Sequence, residues 1–291
     1  MKTRLPVAVF VLGTRPEAIK LAPVIKTFKK SKSLLTKVII TGQHKEMVEQ
    51  VMEIFDINSD LDLEIMKNNQ TLSHITCATL NGLFDYFSSH LPQMVLVQGD
   101  TSTAFAASLA SFYLQIPVAH IEAGLRTNDI YNPFPEEVNR RMISQLASLH
   151  FAPTDLSLKN LENSDVTGLI FKTGNTVIDA LMLMAKNNRE IEIEGINWKT
   201  HRVILATVHR RENWGENLVN IAKAFKSIAD ENFDTSLIIP LHKNSIVREP
   251  LKEILGDHPR IKLIEPLNYA DLIETLKRCY LVLTDSGGIQ E

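Results

Sequence analysis

Short apolar runs alternate with amphipathic segments along the whole chain. The runs VAVFVL, KVIIT, QMVLVQ, IPVAHI, LHFAP and LIFKT predict strands in the first part. RVILATV, SLIIPL, IKLIE and YLVLT predict strands in the second. Helical periodicity fills the spaces: PEAIKLAPVIKTFKK, KEMVEQVMEIF, LSHITCATLNGLFDYFSSH, TAFAASLASFY and PEEVNRRMISQLA, then NTVIDALMLMA, NLVNIAKAFKSIADE and YADLIETLKRC. Strands that are nearly unbroken Val, Ile and Leu, each followed by a helix, predict parallel sheets covered on both faces. Near residues 186–201 the chain turns polar and weakly periodic, and just before it FKTGNTVIDAL reads as strand, turn and helix. That places a hinge near residue 174 and predicts two doubly wound, Rossmann-like α/β domains, 1–174 and 175–291. The cleft between them is the expected site.

Composition narrows the class. A chain of 291 residues, 44% hydrophobic, can bury more than one core. Basic and acidic residues nearly balance, 31 against 34, with no long run of one sign, which argues against a nucleic-acid partner. No apolar stretch has the length of a membrane span. The opening MKTRLPVAVFVLG has a basic lead and an apolar run but no small-residue cleavage site, so it reads as a first strand in a cytoplasmic protein. Cys77 and Cys279 are too few and too far apart for a disulfide framework, and are expected as buried apolar residues.

In open α/β sheets the chemistry lies beyond the carboxyl ends of the strands. The first such junction, GTRPEAIK, contains a capping box, Thr14 with Glu17, and a proline in the first turn. Arg15 opposes the helix dipole there, and is better placed to meet an anion. A single glycine, with no acid closing the next strand at TGQH, disfavours a nicotinamide dinucleotide. In QGDTSTAFAA, Asp100 is expected to cap the following helix. In HIEAGLRT, Glu122 ends an apolar strand, where desolvation raises a carboxyl pKa and makes an acid/base candidate; an ion pair with Arg126 is the equal alternative. Glu136 and Glu137 of PFPEEVNRR begin a helix and, about 100° apart, cannot both face one ligand equally well. TVHRREN sets His209, Arg210 and Arg211 at a strand end, an anion-facing group, and His242 sits similarly in PLHKNS. No spacing suits a metal, and no serine or cysteine nucleophile motif stands out.

GTRPEAIK, GQH, NQTL, QGDTSTAFAA, HIEAGLRT, PFPEEVNRR, TVHRREN and DSGGIQE, in this order, resemble the non-hydrolysing UDP-N-acetylglucosamine 2-epimerases. The resemblance implies the two-domain GT-B architecture and a homodimer, with no cofactor and no membrane or nucleic-acid partner. It implies reversible conversion of UDP-N-acetylglucosamine to UDP-N-acetylmannosamine by anti elimination of UDP and re-addition through 2-acetamidoglucal. By motif, Asp100, Glu122 and Glu136 would be the acid/base groups, with His209 near the diphosphate or sugar. Arg15, Lys20, Ser286, Gly287 and Gly288 would hold the substrate. Gln43, Gln70, Arg210 and His242 match an activating second site for UDP-N-acetylglucosamine. Glu46 and Asn69 stand there in place of Gln and Arg, so the effector's hold is expected to be altered. Family members continue beyond DSGGIQE, which suggests a truncated product or an incomplete record of the chain, its C-terminal part missing and its phosphate helix absent. The rival readings are a glycosyltransferase of the same architecture and a catalytically inactive nucleotide-binding remnant.

Overall fold

A computed structural model describes residues 5–43, 45–67, 70–186 and 190–290. The chain divides into two compact units, Met1–Leu183 and Met184–Glu291. The first contains β1 (Val7–Leu12), β2 (Leu35–Ile40), β3 (Leu61–Asp62), β4 (Met94–Gln98), β5 (Val118–Ile121), β6 (Leu149–Ala152) and β7 (Leu169–Lys172). Its helices are α1 (Arg15–Lys29), α2 (Lys45–Ile54), α3 (Leu72–His90), α4 (Ser102–Tyr113), α5 (Glu136–Leu146) and α6 (Asp155–Glu162). Helix α7 (Thr176–Ala185) spans the division. The second unit contains β8 (Arg202–Thr207), β9 (Thr235–Pro240), β10 (Ile261–Ile264) and β11 (Leu281–Thr284), with α8 (Glu216–Glu231), α9 (Ser245–Leu255), α10 (Tyr269–Arg278) and the single turn α11 (Gly287–Gln290).

Both sheets are parallel, in the order β3-β2-β1-β4-β5-β6-β7 and β10-β9-β8-β11. In each, the strand order reverses next to the first strand, at β1/β4 and at β8/β11. Such switch points open a crevice at the strands' carboxyl ends. In the first unit, Val9 and Val11 of β1 pack with Val95 and Val97 of β4 against Leu83 and Phe87 of α3 and Ala104, Ala107 and Ala110 of α4. The small residues of α4 let it lie close to the sheet. In the second, Leu218, Ala222, Phe225 and Ala229 of α8 recur at helical spacing and cover Ile204, Ala206, Leu237 and Ile239.

Every strand expected from the apolar runs forms. The additional β3 is a two-residue edge pairing with Ile39 and Ile40, too short for a periodic signal. Two further helices form. The α6 helix buries only Ser157 and Leu161, and α9 carries Pro250 in its interior, yet seats Val247, Leu251 and Leu255 on one face. At the C-terminal DSGG stretch a helical turn does follow, α11.

Candidate active site

The first switch point is built from the turns after β1, β4 and β5. Glu17, in the first turn of α1, is fully buried; its Oε2 accepts from Gly13 N (2.9 Å), Thr14 N (2.7 Å) and Thr14 Oγ1 (2.8 Å). Its Oε1 accepts from Thr101 Oγ1 in the turn after β4, at 2.6 Å. The expected capping box therefore also clips two strand-end turns together. Burial raises the Glu17 pKa, and the hydrogen bonds from Thr101, Gly13 and Thr14 oppose that shift. The turns approach so closely that a Cβ at Gly13 would stand 2.4 Å from the Thr41 hydroxyl and 2.5 Å from that of Thr103.

Glu122 follows β5 in the left-handed region, φ 64°. The Lys20 ammonium, on α1, grips both its oxygens at 2.7 and 2.6 Å, and the Gln98 amide at the end of β4 donates to Oε2. The Glu122 side chain is only 8% exposed. The alternative pairing with Arg126 does not occur. Arg126 turns instead to the Leu125 carbonyl and the hydroxyls of Ser144 and Ser164, while α1 carries Lys20 across the strand ends.

Asp100 is not the cap of α4. Thr101 is, accepting from Ala104 N at 3.0 Å, because the glycine turn at Gly99 (φ 70°) delays the helix by one residue. Asp100 is thereby released toward α5, where Arg140 meets Oδ2 at 2.5 Å and the Asn139 amide donates to its carbonyl at 2.9 Å. The two glutamates of α5 separate as their spacing requires. Glu137 is fully buried, held by Arg141 Nε (2.6 Å) and Thr127 N (3.0 Å). Glu136 is half-buried, and its carboxylate makes no hydrogen bond or ion pair with any described residue. It lies four residues before Arg140, hence on the helix face that reaches Asp100. Arg15 is likewise half-buried without such a partner among the described residues.

Beneath this layer His120 is buried in β5, its Nε2–H donating to the Gly99 carbonyl at 2.7 Å. Burial lowers its pKa to about 3, so the ring is neutral and supports the turn that carries Asp100.

The second switch point centres on Asp285, after β11. Its carboxylate accepts from His209 N (3.0 Å), Arg210 N (2.9 Å) and Asn213 Nδ2 (2.9 Å), and His209 Nδ1 lies 3.0 Å from Oδ1. Burial pushes this carboxyl up, but the donors from Arg210, Asn213 and His209 together outweigh it, and its pKa is lowered. The His209 and His242 rings stack at 6.4 Å between centroids. Ser286 N donates to Thr284 Oγ1, so the amides of Gly287 and Gly288 open α11, where a helix has no acceptors of its own for its N–H groups.

A family model described as UDP-N-acetylglucosamine 2-epimerase matches residues 26–291. The chain belongs to that family. As an epimerase it is an enzyme of the isomerase class. The UDP-N-acetylglucosamine 2-epimerase of Neisseria meningitidis is 46% identical over 289 residues, 97% of this chain and 78% of that protein. That of Escherichia coli is 44% identical over 291 residues, 97% and 77% of the two chains. A crystal structure of the Neisseria meningitidis epimerase bound to UDP-GlcNAc superposes with a TM-score of 0.86 at 45% identity, covering 98% of this chain and 79% of that one. An S. aureus co-structure with UDP gives 0.88 at 45%, covering 99% and 76%. The chain thus spans about three quarters of these epimerases' length.

Of the residues named for the epimerase site, Lys20 and Glu122 are joined in the first unit, as are Gln43 and Gln70, the Gln70 amide donating to the Gln43 carbonyl at 3.3 Å. His209, Arg210 and His242 gather in the second. Glu46 is exposed in the first turn of α2; Asn69, His44 and Glu291 lie outside the described residues, as do Met1 to Arg4. Sequence reasoning missed Gln98 and Arg140 as members, took Asp285 only as part of the DSGG turn, and read Glu17 as a local cap only. The signal was present for Gln98 and Asp285, each a polar residue closing or following an apolar strand. Among the described residues no cluster of His, Cys, Asp and Glu could hold a metal, and no helix is long and apolar enough to cross a membrane. Neither cysteine is buried: Cys77 is on the outer face of α3 and Cys279 caps α10, half-buried.

Proposed function

We propose that this chain interconverts UDP-N-acetylglucosamine and UDP-N-acetylmannosamine by eliminating UDP and adding it back through 2-acetamidoglucal. The reading is carried by the first switch point, where one carboxylate faces a lysine, a second faces an arginine and a third is uncommitted. The C2 proton of the sugar is not acidic, so its removal must be coupled to departure of UDP from C1. Inversion then needs proton delivery to the opposite face, hence two differently placed acid/base groups. Asp100, Glu122 and Glu136 supply the candidates, and Lys20 and Arg140 orient the first two of them in reverse order. Stabilising the departing diphosphate falls to Arg15 and to the amides of Gly287 and Gly288, with Ser286 and His209 beside them. Gln43 and Gln70 in the first unit, and Arg210 and His242 in the second, are the candidates for an activating UDP-sugar. The protein is further proposed to work in the cytoplasm as a homodimer.

Incubation with UDP-N-acetylglucosamine in D₂O, followed by proton NMR, tests this. The expected result is loss of the C2 proton signal as a manno product grows. Epimerisation with the C2 hydrogen retained would reject the elimination. No change in either sugar would reject the substrate.

A further inference from the structure

One face of the first unit holds a polar pocket of about 400 Å³ that the strand-end chemistry does not use. It is bounded by the loop after β5, by α5 and by the end of α6. Arg126 and Arg141 line it with Ser144, Gln145, Asn163 and Ser164, and none of its described lining residues is acidic. Successive residues on a helix point about 100° apart. So α5 can send Arg140 to Asp100 and the next residue, Arg141, into this pocket.

The donors here outnumber their acceptors. A guanidinium has five N–H groups. Arg126 uses Nη1 once, toward Leu125 O at 2.8 Å, and Nη2 toward Ser144 Oγ at 3.0 Å and Ser164 Oγ at 3.4 Å. Its Nε–H and second Nη1–H have no acceptor among the described residues. Arg141 gives Nε to Glu137 and one Nη2–H to Thr127 O at 3.0 Å, and keeps the rest. The charges are also unbalanced. Among the described residues Arg140 and Arg141 pair with Asp100 and Glu137, whereas Arg126 is in no ion pair. Burial lowers the Arg126 pKa and Arg141 and Arg140 act in the same direction, against Glu137. A half-buried guanidinium with two spare N–H groups, a second guanidinium beside it with further free N–H groups and hydroxyls around them suits an oxyanion held jointly by the two arginines.

We propose that this pocket binds a phosphate group, free or as the phosphomonoester of a small metabolite, between Arg126 and Arg141. The site lies within the first unit and does not depend on the epimerase reading. The test is a titration of the whole chain with inorganic phosphate, and in a second arm with glycerol 3-phosphate, followed by calorimetry. UDP is kept in excess so that a diphosphate site elsewhere is filled. Saturable binding is expected in at least one arm, weakened by about tenfold or more in Arg126→Gln and retained in Arg15→Gln. Gln145→Glu, at an exposed position on the rim, should weaken it comparably by supplying the missing negative charge, at the cost of the hydrogen bond from Gln145 Nε2 to Ser164 O, so its fold is checked by circular dichroism. Tighter binding of glycerol 3-phosphate would assign the site to a phosphomonoester, and equal or tighter binding of phosphate to the free ion. Affinity weaker than about 10 mM in both arms, or binding unchanged in Gln145→Glu with Arg126→Gln folded, would overturn the proposal. So would loss in Arg15→Gln alone.

Discussion

The two switch points solve one mechanical problem in opposite directions. In the first unit the carboxylate of Glu17 belongs to the helix after the first strand and takes donors from its own turn and from Thr101 across the crevice. In the second, Asp285 follows the last strand and takes the backbone N–H groups of His209 and Arg210, after the first. Either way a carboxylate clips together the two turns that a parallel sheet leaves apart where its order reverses. What surrounds the clip differs. Around Glu17 lie the pairs Lys20–Glu122 and Arg140–Asp100, each crossing between elements far apart in sequence. Around Asp285 lie two stacked imidazoles and a glycine turn. The shared clip is architecture; the added charges of the first unit suit proton transfer, and the turn of the second suits holding an anion.

That division can be broken by experiment. The largest effect is expected from Glu122→Gln, which should lower turnover by about 10²- to 10⁴-fold, the range for a lost acid/base group. Steady-state kinetics with a melting curve checks it, and near-normal turnover would move the chemistry elsewhere. Next comes Glu17→Ala, which strands the Gly13 and Thr14 amides and should cost about 3 kcal/mol. Both tryptophans, Trp198 and Trp214, lie in the second unit. The loss should therefore appear in a urea melt followed by circular dichroism, with little change in tryptophan emission.

Acidification should single out the first unit too. His120 is neutral when folded, with a pKa of about 3, against 6.5 in its unperturbed form. The unfolded chain therefore binds the extra proton, and stability falls as pH drops below about 6.5, by up to about 1.4 kcal/mol per pH unit. The raised Glu17 pKa works the other way, because the folded state holds that proton more tightly. A stability–pH series in wild type and His120→Asn would isolate the histidine's share; parallel curves would remove it. The smallest effect is expected from Asp285→Asn, about 1 kcal/mol from weakened charge-assisted hydrogen bonds, visible in tryptophan emission together with weaker UDP binding.

The sheets were legible because apolar runs and helical spacing are local signals. The β3 strand and the α6 helix were not, since each gains its structure from neighbours rather than from a strong pattern of its own, and α9 was missed although Val247, Leu251 and Leu255 recur at helical spacing, with Pro250 in their midst. Site residues divided along the same line. Glu122 stands out as a charge closing an apolar strand, whereas its partner Lys20 is 102 positions away and was named only through the family's motif. Asp100 was expected to cap a helix because spacing cannot show that Gly99 would turn the chain and leave Thr101 the better cap. Pairings such as Arg140 with Asp100 depend on where whole elements lie, which no window of sequence contains.

The cysteines give the chain a pair of ready-made attachment points. One thiol stands on each unit, Cys77 exposed and Cys279 half-buried with its pKa raised by desolvation. Alkylation rates follow exposure and thiolate fraction. A short treatment with one maleimide dye should mark Cys77, and a longer one with a second dye Cys279. The natural sequence would then carry a donor–acceptor pair that reports, molecule by molecule, how far apart its two units stand as nucleotide sugar is added.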